Sequence, residues 1–287
     1  MDIAPNEDQV MLQEMTRRFL EDRSPVTALR KLADAGQSLD RDVWREAAEL
    51  GWIALFVPEE HGGIAESAGG VADPGIVAEA LGRVVFSGPF LSPPLAAAAL
   101  AREGSEAQKA AWLPGLASGE TLAAWGYAGR GPVQGTEPGA IRASASGGGF
   151  ALTGLAAYVE DATVADILLV TALAETGPVQ FLVPSGTPGI TVTPMDALDL
   201  GKRLALVRFD GVEVSAESTL GTAQGAADAF ERQLQVGLAL LCSETVGVID
   251  RAFAFTLEWV QERHAFGRPI GSFQALKHRL ADHVAQL

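Results

Sequence analysis

The chain has 287 residues, 48% of them hydrophobic, which is enough to bury the core of one large domain or of two to three small ones. Lys and Arg number 21 against 36 Asp and Glu, which gives a formal net charge of -15. Such an acidic surface repels phosphate backbones, so we expect no nucleic acid partner. The single cysteine, Cys242, excludes an internal disulfide and is typical of a reducing compartment.

The first ten residues, MDIAPNEDQV, are acidic and lack the basic and apolar regions of a signal peptide. No apolar run reaches the length that spans a bilayer. The sequence therefore predicts a cytoplasmic protein without a membrane partner.

Apolar residues at helical spacing predict several helices in the first 120 residues. The clearest of them begin at residues 8 and 42, and the second ends at Gly51, a favourable C-cap residue. Further helices are expected at residues 77–81, 94–102 and 105–112, and a Pro- and Gly-punctuated loop at residues 57–63.

The composition of the sequence changes after about Gly119, where Gly, Thr and Val become common. Short apolar runs predict strands at residues 167–170, 180–183, 190–192 and 204–209, and Gly147-Gly-Gly149 predicts a hairpin turn. The pattern indicates an antiparallel β domain and no βαβ series. The stretch Gly129-Arg-Gly-Pro-Val-Gln-Gly135 has the wrong glycine spacing for a dinucleotide fingerprint, so we interpret it as a loop.

Helix returns in the last part of the chain. Residues 223–263 contain no proline and predict one long helix or two in line, ended by Gly267 and Pro269. Ser272 is expected to cap the next helix. That helix carries an apolar stripe made of Phe273, Leu276, Leu280, Val284 and Leu287. Because the stripe still runs at the last residue, we expect a homo- or hetero-oligomer (a dimer or tetramer), or a chain that naturally extends further.

These patterns together predict an α+β multidomain protein. Residues 1–120 form an N-terminal helical domain, residues 121–221 a β-sandwich or barrel-like middle domain, and residues 222–287 the first two helices of a C-terminal helical bundle.

Most chemistry-bearing residues lack the partners that a site needs. The four histidines, His61, His264, His278 and His283, have no spacing typical of metal ligands, so no metal is expected. Cys242 lies in an apolar helix and is predicted to be a small core residue. No G-x-S-x-G or Ser-His-Asp signature occurs.

The break between the two last helices has the features of an anion site. Arg263 falls in the last turn of the long helix, where a cation offsets the helix dipole. The next helix opens a few residues later, so its free N–H groups, with Arg263 and Gln274, would suit a phosphate.

The same segment resembles the C-terminal signature of the acyl-CoA dehydrogenase family, R-x-x-F-G-x-P-I-x-x-F-Q-x-x-x-H-x-L-A-D. The signature residues are Arg263, Phe266, Gly267, Pro269, Ile270, Phe273, Gln274, His278, Leu280, Ala281 and Asp282. Weaker likenesses follow the family order along the whole chain, from Gly51-Trp52 and the loop at residues 57–63 to Leu198-Asp-Leu-Gly-Lys-Arg203 and Phe209-Asp-Gly-Val212.

The resemblance implies an FAD bound between domains and across a subunit interface. By match, Arg263, Phe266 and Gln274 would reach the FAD of the neighbouring subunit. The implied activity is oxidoreductase chemistry of lipid metabolism, the α,β-dehydrogenation of an acyl-CoA thioester with electrons passed to an electron-transfer flavoprotein. The alternative is a catalytically degenerate partner subunit that completes the FAD site of a heteromeric acyl-CoA dehydrogenase.

Two departures from the family pattern concern the β domain. The family's T-E-P-x-x-G-S-D should lie near Ala128, where this chain has neither the threonine nor the acid; Thr136-Glu-Pro138 only looks like it. The family's tryptophan segment is replaced by one in which Tyr158 is available for stacking, but Glu160 would be a poor neighbour for an isoalloxazine.

A third departure concerns the catalytic base. The chain ends before the helices that usually bring the catalytic glutamate, so the base would come from the long helix, as Glu244 or Glu231. Glu244 is favoured because apolar residues flank it and because Gly237, two turns earlier on the same face, would leave room for a ligand. The alternative for Glu244 is a hydrogen-bonded acid at a helix crossing, and the alternative for Gly237 is close helix packing.

Overall fold

A computed structural model describes residues 4–35, 39–65, 70–129 and 140–286. Residues 130–135 of the glycine stretch, Thr136-Glu-Pro138 and Leu287 lie outside the described residues, so the structure does not test the expectations placed on them.

The first 120 residues fold into helices wherever the apolar spacing predicted them, and into one further helix. The helices are α1 (Glu7–Arg23), α2 (Val26–Asp34), α3 (Arg41–Glu49), α4 (Ala72–Val84), α5 (Ser92–Glu103) and α6 (Glu106–Ala117). Asn6 and Ser105 begin α1 and α6 with capping boxes, in which each side chain accepts a backbone N–H three residues on. The loop at residues 57–63 contains one short 3-10 turn, Glu59–His61.

The middle of the chain forms one sheet with the order β6-β7-β3-β2-β4-β5-β8, and β1 pairs with β4. Its strands are β1 (Ala123–Gly126), β2 (Ile141–Ser146), β3 (Gly149–Glu160), β4 (Ile167–Ala174), β5 (Gly177–Pro184), β6 (Ile190–Pro194), β7 (Leu204–Val214) and β8 (Thr219–Leu220). The predicted turn at Gly147 and Gly148 joins β2 to β3, and both glycines have positive φ.

The expectation of a purely antiparallel sheet needs a correction. Most pairs are antiparallel, but β1 pairs with β4 in parallel, and so does β2 at a single position, Arg142 opposite Leu173. Only long-range pairing decides this direction, because the local alternation of apolar residues is the same in both kinds of pair.

Two cores hold these layers together. One fills the interior of the sheet, with Phe181 and Phe209 fully buried. The other lies among the N-terminal helices around Trp44 and Trp52, and it continues across one face of the sheet onto the start of the last long helix through Phe230. The helical and β parts therefore share a core along that face.

Helix α7 (Ala226–Glu262) is a single helix of 37 residues, as the absence of proline allowed. It crosses α4 so closely that a Cβ on Gly247 would overlap the carbonyl oxygen of Glu79. Cys242 is exposed on α7, so the prediction that it is a core residue was wrong. The cysteine lies in an apolar stretch but on the face that no described element covers.

Across the described ranges, no helix combines the length and apolarity needed to cross a membrane.

The long helix ends at Glu262, shortly before the predicted breakers Gly267 and Pro269, and Arg263 is its C-cap residue, which corrects the prediction that Arg263 lies in the last turn. The chain turns through a two-stranded ribbon of β9 (His264–Ala265) and β10 (Arg268–Pro269), and then forms α8 (Gln274–Gln286). Ser272 does not precede α8 directly; its hydroxyl donates to the Pro269 carbonyl at 2.7 Å within a short 3-10 turn. Phe273 takes the position before α8, which corrects the predicted cap. No described residue of α8 is buried.

Candidate functional site

A tight hairpin joins α7 to the start of α8, and we call it the β9–β10 hairpin. Arg268 pairs with Ala265 and Pro269 with His264, which leaves Phe266 and Gly267 as the two turn residues. Their φ angles are 54° and 78°, as a type I′ turn requires at both positions. The Ile270 N–H donates to the Arg263 carbonyl at 2.8 Å and fixes the base of the hairpin.

The turn holds the Phe266 side chain out in solvent, where 94% of it is exposed. The ring makes an edge contact with Phe273 at 6.2 Å between centroids, and the Arg268 guanidinium lies 4.1 Å from the centre of the Phe273 ring. A bulky residue in the left-handed region is uncommon and strained. Strain together with almost complete exposure points to a role outside the packing of this chain.

The three residues predicted to bind FAD, Arg263, Phe266 and Gln274, lie in or beside the β9–β10 hairpin and are exposed. Arg263 is exposed directly after α7, and within the described residues no acidic side chain forms an ion pair with it. Gln274 is the exposed first residue of α8. A guanidinium, an amide at a helix N-terminus and an exposed ring have the chemistry to contact a pyrophosphate and an adenosine. The residues present therefore fit the pyrophosphate and adenosine end of an FAD.

A second group of charged side chains lies where β3, α7 and the segment before β7 meet, and we call it the Lys202 cluster. Lys202 Nζ lies 3.3 Å from a Glu160 oxygen and 3.0 Å from a Glu244 oxygen. Arg203 pairs with Asp161 at 2.8 Å and donates to the Ser87 hydroxyl at 2.6 Å. The cluster ties the middle of α7 to the edge of the sheet.

Burial dominates the electrostatics of this cluster. It raises the pKa of Glu160 above its usual range, although Lys202 opposes the shift. Burial likewise raises the pKa of Asp161, against the opposing charge of Arg203. Burial alone would lower the pKa of Lys202, but Glu160 and Glu244 outweigh it and raise that pKa. Lys202 is therefore a cation placed between the Glu160 and Glu244 side chains.

The two candidate bases occupy different surroundings. Glu244 is partly buried, with 23% of its side chain exposed, and both of its oxygens face Lys202. Glu231 is exposed and accepts a hydrogen bond from Gln235 at 3.0 Å. Only Glu244 adjoins an apolar recess, which is lined by Ala78, Leu81, Phe86, Gly88, Phe90, Leu91, Leu240 and Leu241, with Lys202.

A larger groove lies between α5 and α7, and we call it the α5–α7 groove. It is lined by Leu95, Ala98, Ala99, Arg102, Glu103, Ala229, Arg232, Gln233, Gln235 and Val236. Arg232 pairs with Glu103 at 2.7 Å, which links the two helices. Sequence reasoning missed this groove, because its residues come from two helices more than a hundred positions apart.

Gly237 does not leave room for a ligand, contrary to the argument that favoured Glu244. A Cβ there would lie 3.3 Å from a methyl group of Leu95 and 3.9 Å from one of Leu91. The glycine instead lets α7 approach α5 closely.

A buried polar network connects the floor of the groove to the sheet. Gln233 and Gln180 exchange two hydrogen bonds of 2.6 and 3.0 Å, and Gln180 also donates to Thr171 at 2.9 Å. The Trp125 indole N–H donates to the same hydroxyl at 3.0 Å. Nothing in the local sequence marks these residues as a group, since each comes from a different element.

Of the two β-domain departures, the structure describes the second. Tyr158 has a φ of 57° and 52% exposure, so its ring is available for stacking. Glu160 turns instead toward Lys202, with only 13% of its side chain exposed.

Comparisons with known proteins agree with this architecture. The family profile described as "Acyl-CoA dehydrogenase, N-terminal domain" matches residues 6–120, and that described as "Acyl-CoA dehydrogenase, C-terminal domain" matches residues 224–287. Acyl-CoA dehydrogenase FadE27 of Mycobacterium tuberculosis is 35% identical over 260 residues, which cover 88% of this chain and 65% of that protein. The chain thus spans slightly less than two thirds of that relative.

Two further matches cover more of their counterparts. Acyl-CoA dehydrogenase IpdE2 of Mycolicibacterium smegmatis is 30% identical over 278 residues, which cover 96% of this chain and 72% of the relative. The solved structure of the ChsE4-ChsE5 complex from Mycobacterium tuberculosis matches with a TM-score of 0.87 and 30% identity, over 98% of this chain and 74% of that one. The two profile matches and the 30% identity over most of both chains show that the chain belongs to the acyl-CoA dehydrogenase family.

Proposed function

We propose that this chain is a subunit of an FAD-dependent acyl-CoA dehydrogenase and that its β9–β10 hairpin completes the FAD site of a neighbouring subunit. The observation that carries the proposal is the almost fully exposed Phe266, held out on a strained turn between Arg263 and Gln274. Within the described part of the chain the ring has an edge contact with Phe273 and is otherwise exposed, which suits a role outside the chain.

The three hairpin residues have distinct tasks in this proposal. Arg263 supplies a charge-assisted contact to the pyrophosphate, and Gln274 supplies an amide beside the free N–H groups of α8. Phe266 shields the adenosine end from water. When bound, the FAD would accept the hydride that leaves the β carbon of the acyl group, and an electron-transfer flavoprotein would then take the electrons.

We place the acyl-CoA in the α5–α7 groove. Its walls are mainly apolar side chains, which suit an acyl group, and the exposed Arg102 lies at its rim, where the phosphates of CoA would pass. The carboxylate of Glu103 is held by Arg232, so it is not free to act as a base.

Glu244 remains the proposed base on this chain, since an apolar recess adjoins its carboxylate. Two features oppose it. Lys202 holds both oxygens, and a base must release such a partner before it accepts a proton. Glu244 also lies 11 residues beyond Gln233 on α7, about 16 Å along the helix axis from that part of the groove.

These features favour a second candidate function. In it, the chain is a catalytically degenerate subunit that lends its hairpin to the FAD of a partner, and the partner supplies the base. The ChsE4-ChsE5 complex, to which this chain is similar, joins two differently named proteins. That pairing supports a heteromeric assembly for this chain as well.

Flavin content and turnover together separate the two functions. The chain is purified alone and with the gene product encoded beside it, and each sample is assayed for bound FAD and for acyl-CoA oxidation with an artificial electron acceptor. FAD and activity in the chain alone, both of them lost with the hairpin variants, support the complete enzyme. FAD and activity only in the mixture support the degenerate subunit, whereas no FAD in either sample contradicts both.

The variant Glu244→Gln tests the base directly. If Glu244 abstracts the proton, the variant loses at least about a hundredfold in turnover, the lower end of what general-base catalysis contributes. Glu231→Gln is the matched control on the same helix and should keep full activity. Full activity in Glu244→Gln removes Glu244 from the mechanism.

A further inference from the structure

One polar side chain stands out among the residues of the α5–α7 groove that face away from its rim. Leu95, Ala99 and Ala229 are buried and apolar, and the short alanines widen the groove. Gln233 lies among them and is only 6% exposed. A groove meant only for a hydrocarbon chain gains nothing from a buried amide, which costs free energy unless its hydrogen bonds are made.

Counting hydrogen bonds shows that Gln233 is only partly satisfied. A primary amide has two N–H groups to donate, and its oxygen has two lone pairs that accept. Gln180 uses both of its N–H groups, one on Thr171 and one on the Gln233 oxygen. Gln233 uses one N–H, on the Gln180 oxygen, and one lone pair. Among the described residues, one N–H and one lone pair of Gln233 therefore remain for a ligand.

The network also fixes the direction of this amide. Because Gln180 donates to Gln233 and accepts from it, the Gln233 side chain cannot swing away without breaking two buried hydrogen bonds. The charged residues at the mouth of the groove pair with one another, Arg232 with Glu103 and Arg102 with Glu103 at 3.6 Å. Gln233 is thus the preorganised polar group available to the inner part of a bound acyl group.

We propose that Gln233 is a specificity-determining residue and that the groove selects acyl-CoA thioesters whose acyl group carries a hydroxyl. The inference rests on the proposed function, because it takes the acyl group of the CoA thioester to lie in this groove. A hydroxyl fills one of these open positions: its oxygen accepts the free N–H, or its hydrogen goes to the free lone pair. An unsubstituted chain leaves both open positions of the buried amide without a partner.

Calorimetric titration of the purified chain tests the proposal. The probes are octanoyl-CoA and hydroxyoctanoyl-CoA thioesters in which the hydroxyl moves along the outer half of the chain. We expect wild type to bind at least one hydroxylated thioester about three- to tenfold more tightly than octanoyl-CoA, the range for one net hydrogen bond. Gln233→Leu should abolish the preference while still binding octanoyl-CoA. Gln235→Leu, on the same helix at the exposed rim, is the matched control and should keep it.

Gln233→Leu leaves Gln180 without its hydrogen-bond partner and could therefore fold poorly. A second variant is used in that case. In Gln180→Met with Gln233→Met both partners become apolar, which is nearly neutral for stability. The inference is overturned if either folded variant still prefers a hydroxylated thioester, or if wild type binds all the thioesters equally well. Neither result contradicts the proposed function. If wild type binds no acyl-CoA at all while the hairpin still retains FAD, acyl-CoA binding in the groove fails, and this inference fails with it.

Discussion

Phe266 combines a strained backbone with an almost fully exposed ring. Its backbone is in the left-handed region, which costs on the order of 1–3 kcal/mol for a residue other than glycine. Its ring is 94% exposed, so burial within this chain returns none of that cost. A ligand or a neighbouring subunit that covers the ring would account for both features.

The first prediction concerns the cation next to that ring. Arg263→Ala should leave the fold intact and weaken FAD binding about ten- to hundredfold, because a charge-assisted hydrogen bond is worth about 1.5–3 kcal/mol. Flavin absorbance per subunit after gel filtration measures the effect.

The control for Arg263 is another exposed arginine far from the hairpin. Arg142→Ala on β2 should leave the flavin content unchanged. Equal flavin content in wild type and Arg263→Ala, with only a small loss of thermal stability, would show that Arg263 serves merely to offset the dipole of α7.

The second prediction concerns the pH dependence of stability at Glu160. Its pKa is raised in the folded protein, mainly by burial, so the folded state holds this proton at pH values where the unfolded chain has lost it. The free energy of unfolding contributed by Glu160 therefore falls as the pH rises from its ordinary pKa through the raised one. Glu160→Gln, which stays neutral, should gain stability relative to wild type across this window.

Thermal unfolding of both proteins across the acidic to neutral range measures this difference. At acidic pH Glu160 is protonated in both the folded and the unfolded state. There the difference in stability between wild type and Glu160→Gln should not change with pH. A difference that stays constant through the whole range, or that changes in the opposite direction, would show that the pKa of Glu160 is not raised by folding. The control is Glu213→Gln, which removes a carboxylate that accepts a hydrogen bond from Ser146 on the exposed sheet surface, away from the Lys202 cluster.

At the scale of elements, the crossing of α4 and α7 depends on two glycines that bring the backbones together. A Cβ on Gly82 would overlap the Glu244 carbonyl oxygen, and one on Gly247 would overlap that of Glu79. Arg83 of α4 also forms an ion pair with Asp250 of α7. This crossing sets the position of Glu244 relative to the Lys202 cluster.

The third prediction tests that crossing. Gly247→Ala should destabilise the protein by about 1–3 kcal/mol, because an added methyl group in a tightly packed contact forces the helices apart. Urea unfolding followed by circular dichroism gives the difference in free energy of unfolding. Gly186→Ala, with nothing within 4 Å of the added Cβ, is the matched control and should change stability by less than about 0.5 kcal/mol. Equal stabilities of the two variants would refute the close crossing.

At the scale of the whole molecule, the last two helices leave much apolar surface uncovered. Val246, Ile249 and Phe253 of α7 line a cavity against α8, and Val284 of α8 is 57% exposed. At about 25 cal/mol per Å2 of apolar surface, several such side chains kept in water cost several kcal/mol. Covering this surface would stabilise the protein.

The fourth prediction is that the chain forms a dimer or tetramer through these helices. Ile249→Asp and Val284→Asp should each shift the assembly toward smaller species, because a charge in an apolar interface is costly to desolvate. Light scattering coupled to gel filtration measures the mass. Val10→Asp, a similarly exposed valine on α1, is the control and should leave the mass unchanged. A wild-type monomer at micromolar concentration would contradict the prediction.

Local signals in the sequence predicted most of the helices and strands, and the short segment that we propose as a site. Helical spacing of apolar residues placed α1 and α6, and the lack of proline placed α7, because these signals act over a few residues. Phe266 and Gly267 between two short strands, with Arg263 and Gln274 on either side, lie within 12 residues of one another. A site built from one short segment is readable from the sequence, since the local backbone fixes its geometry.

Only the tertiary structure decided what distant segments do together. The sequence indicated Glu244 as a base in an apolar helix, yet folding brings Lys202 from 42 residues away onto its carboxylate. It indicated Gly237 as space for a ligand, yet α5 fills that space. Gln233 had no visible role until folding placed Gln180 beside it. The ion pairs, the free space and the hydrogen-bond partners of a residue depend on which elements pack together and how closely, so the sequence alone does not reveal them.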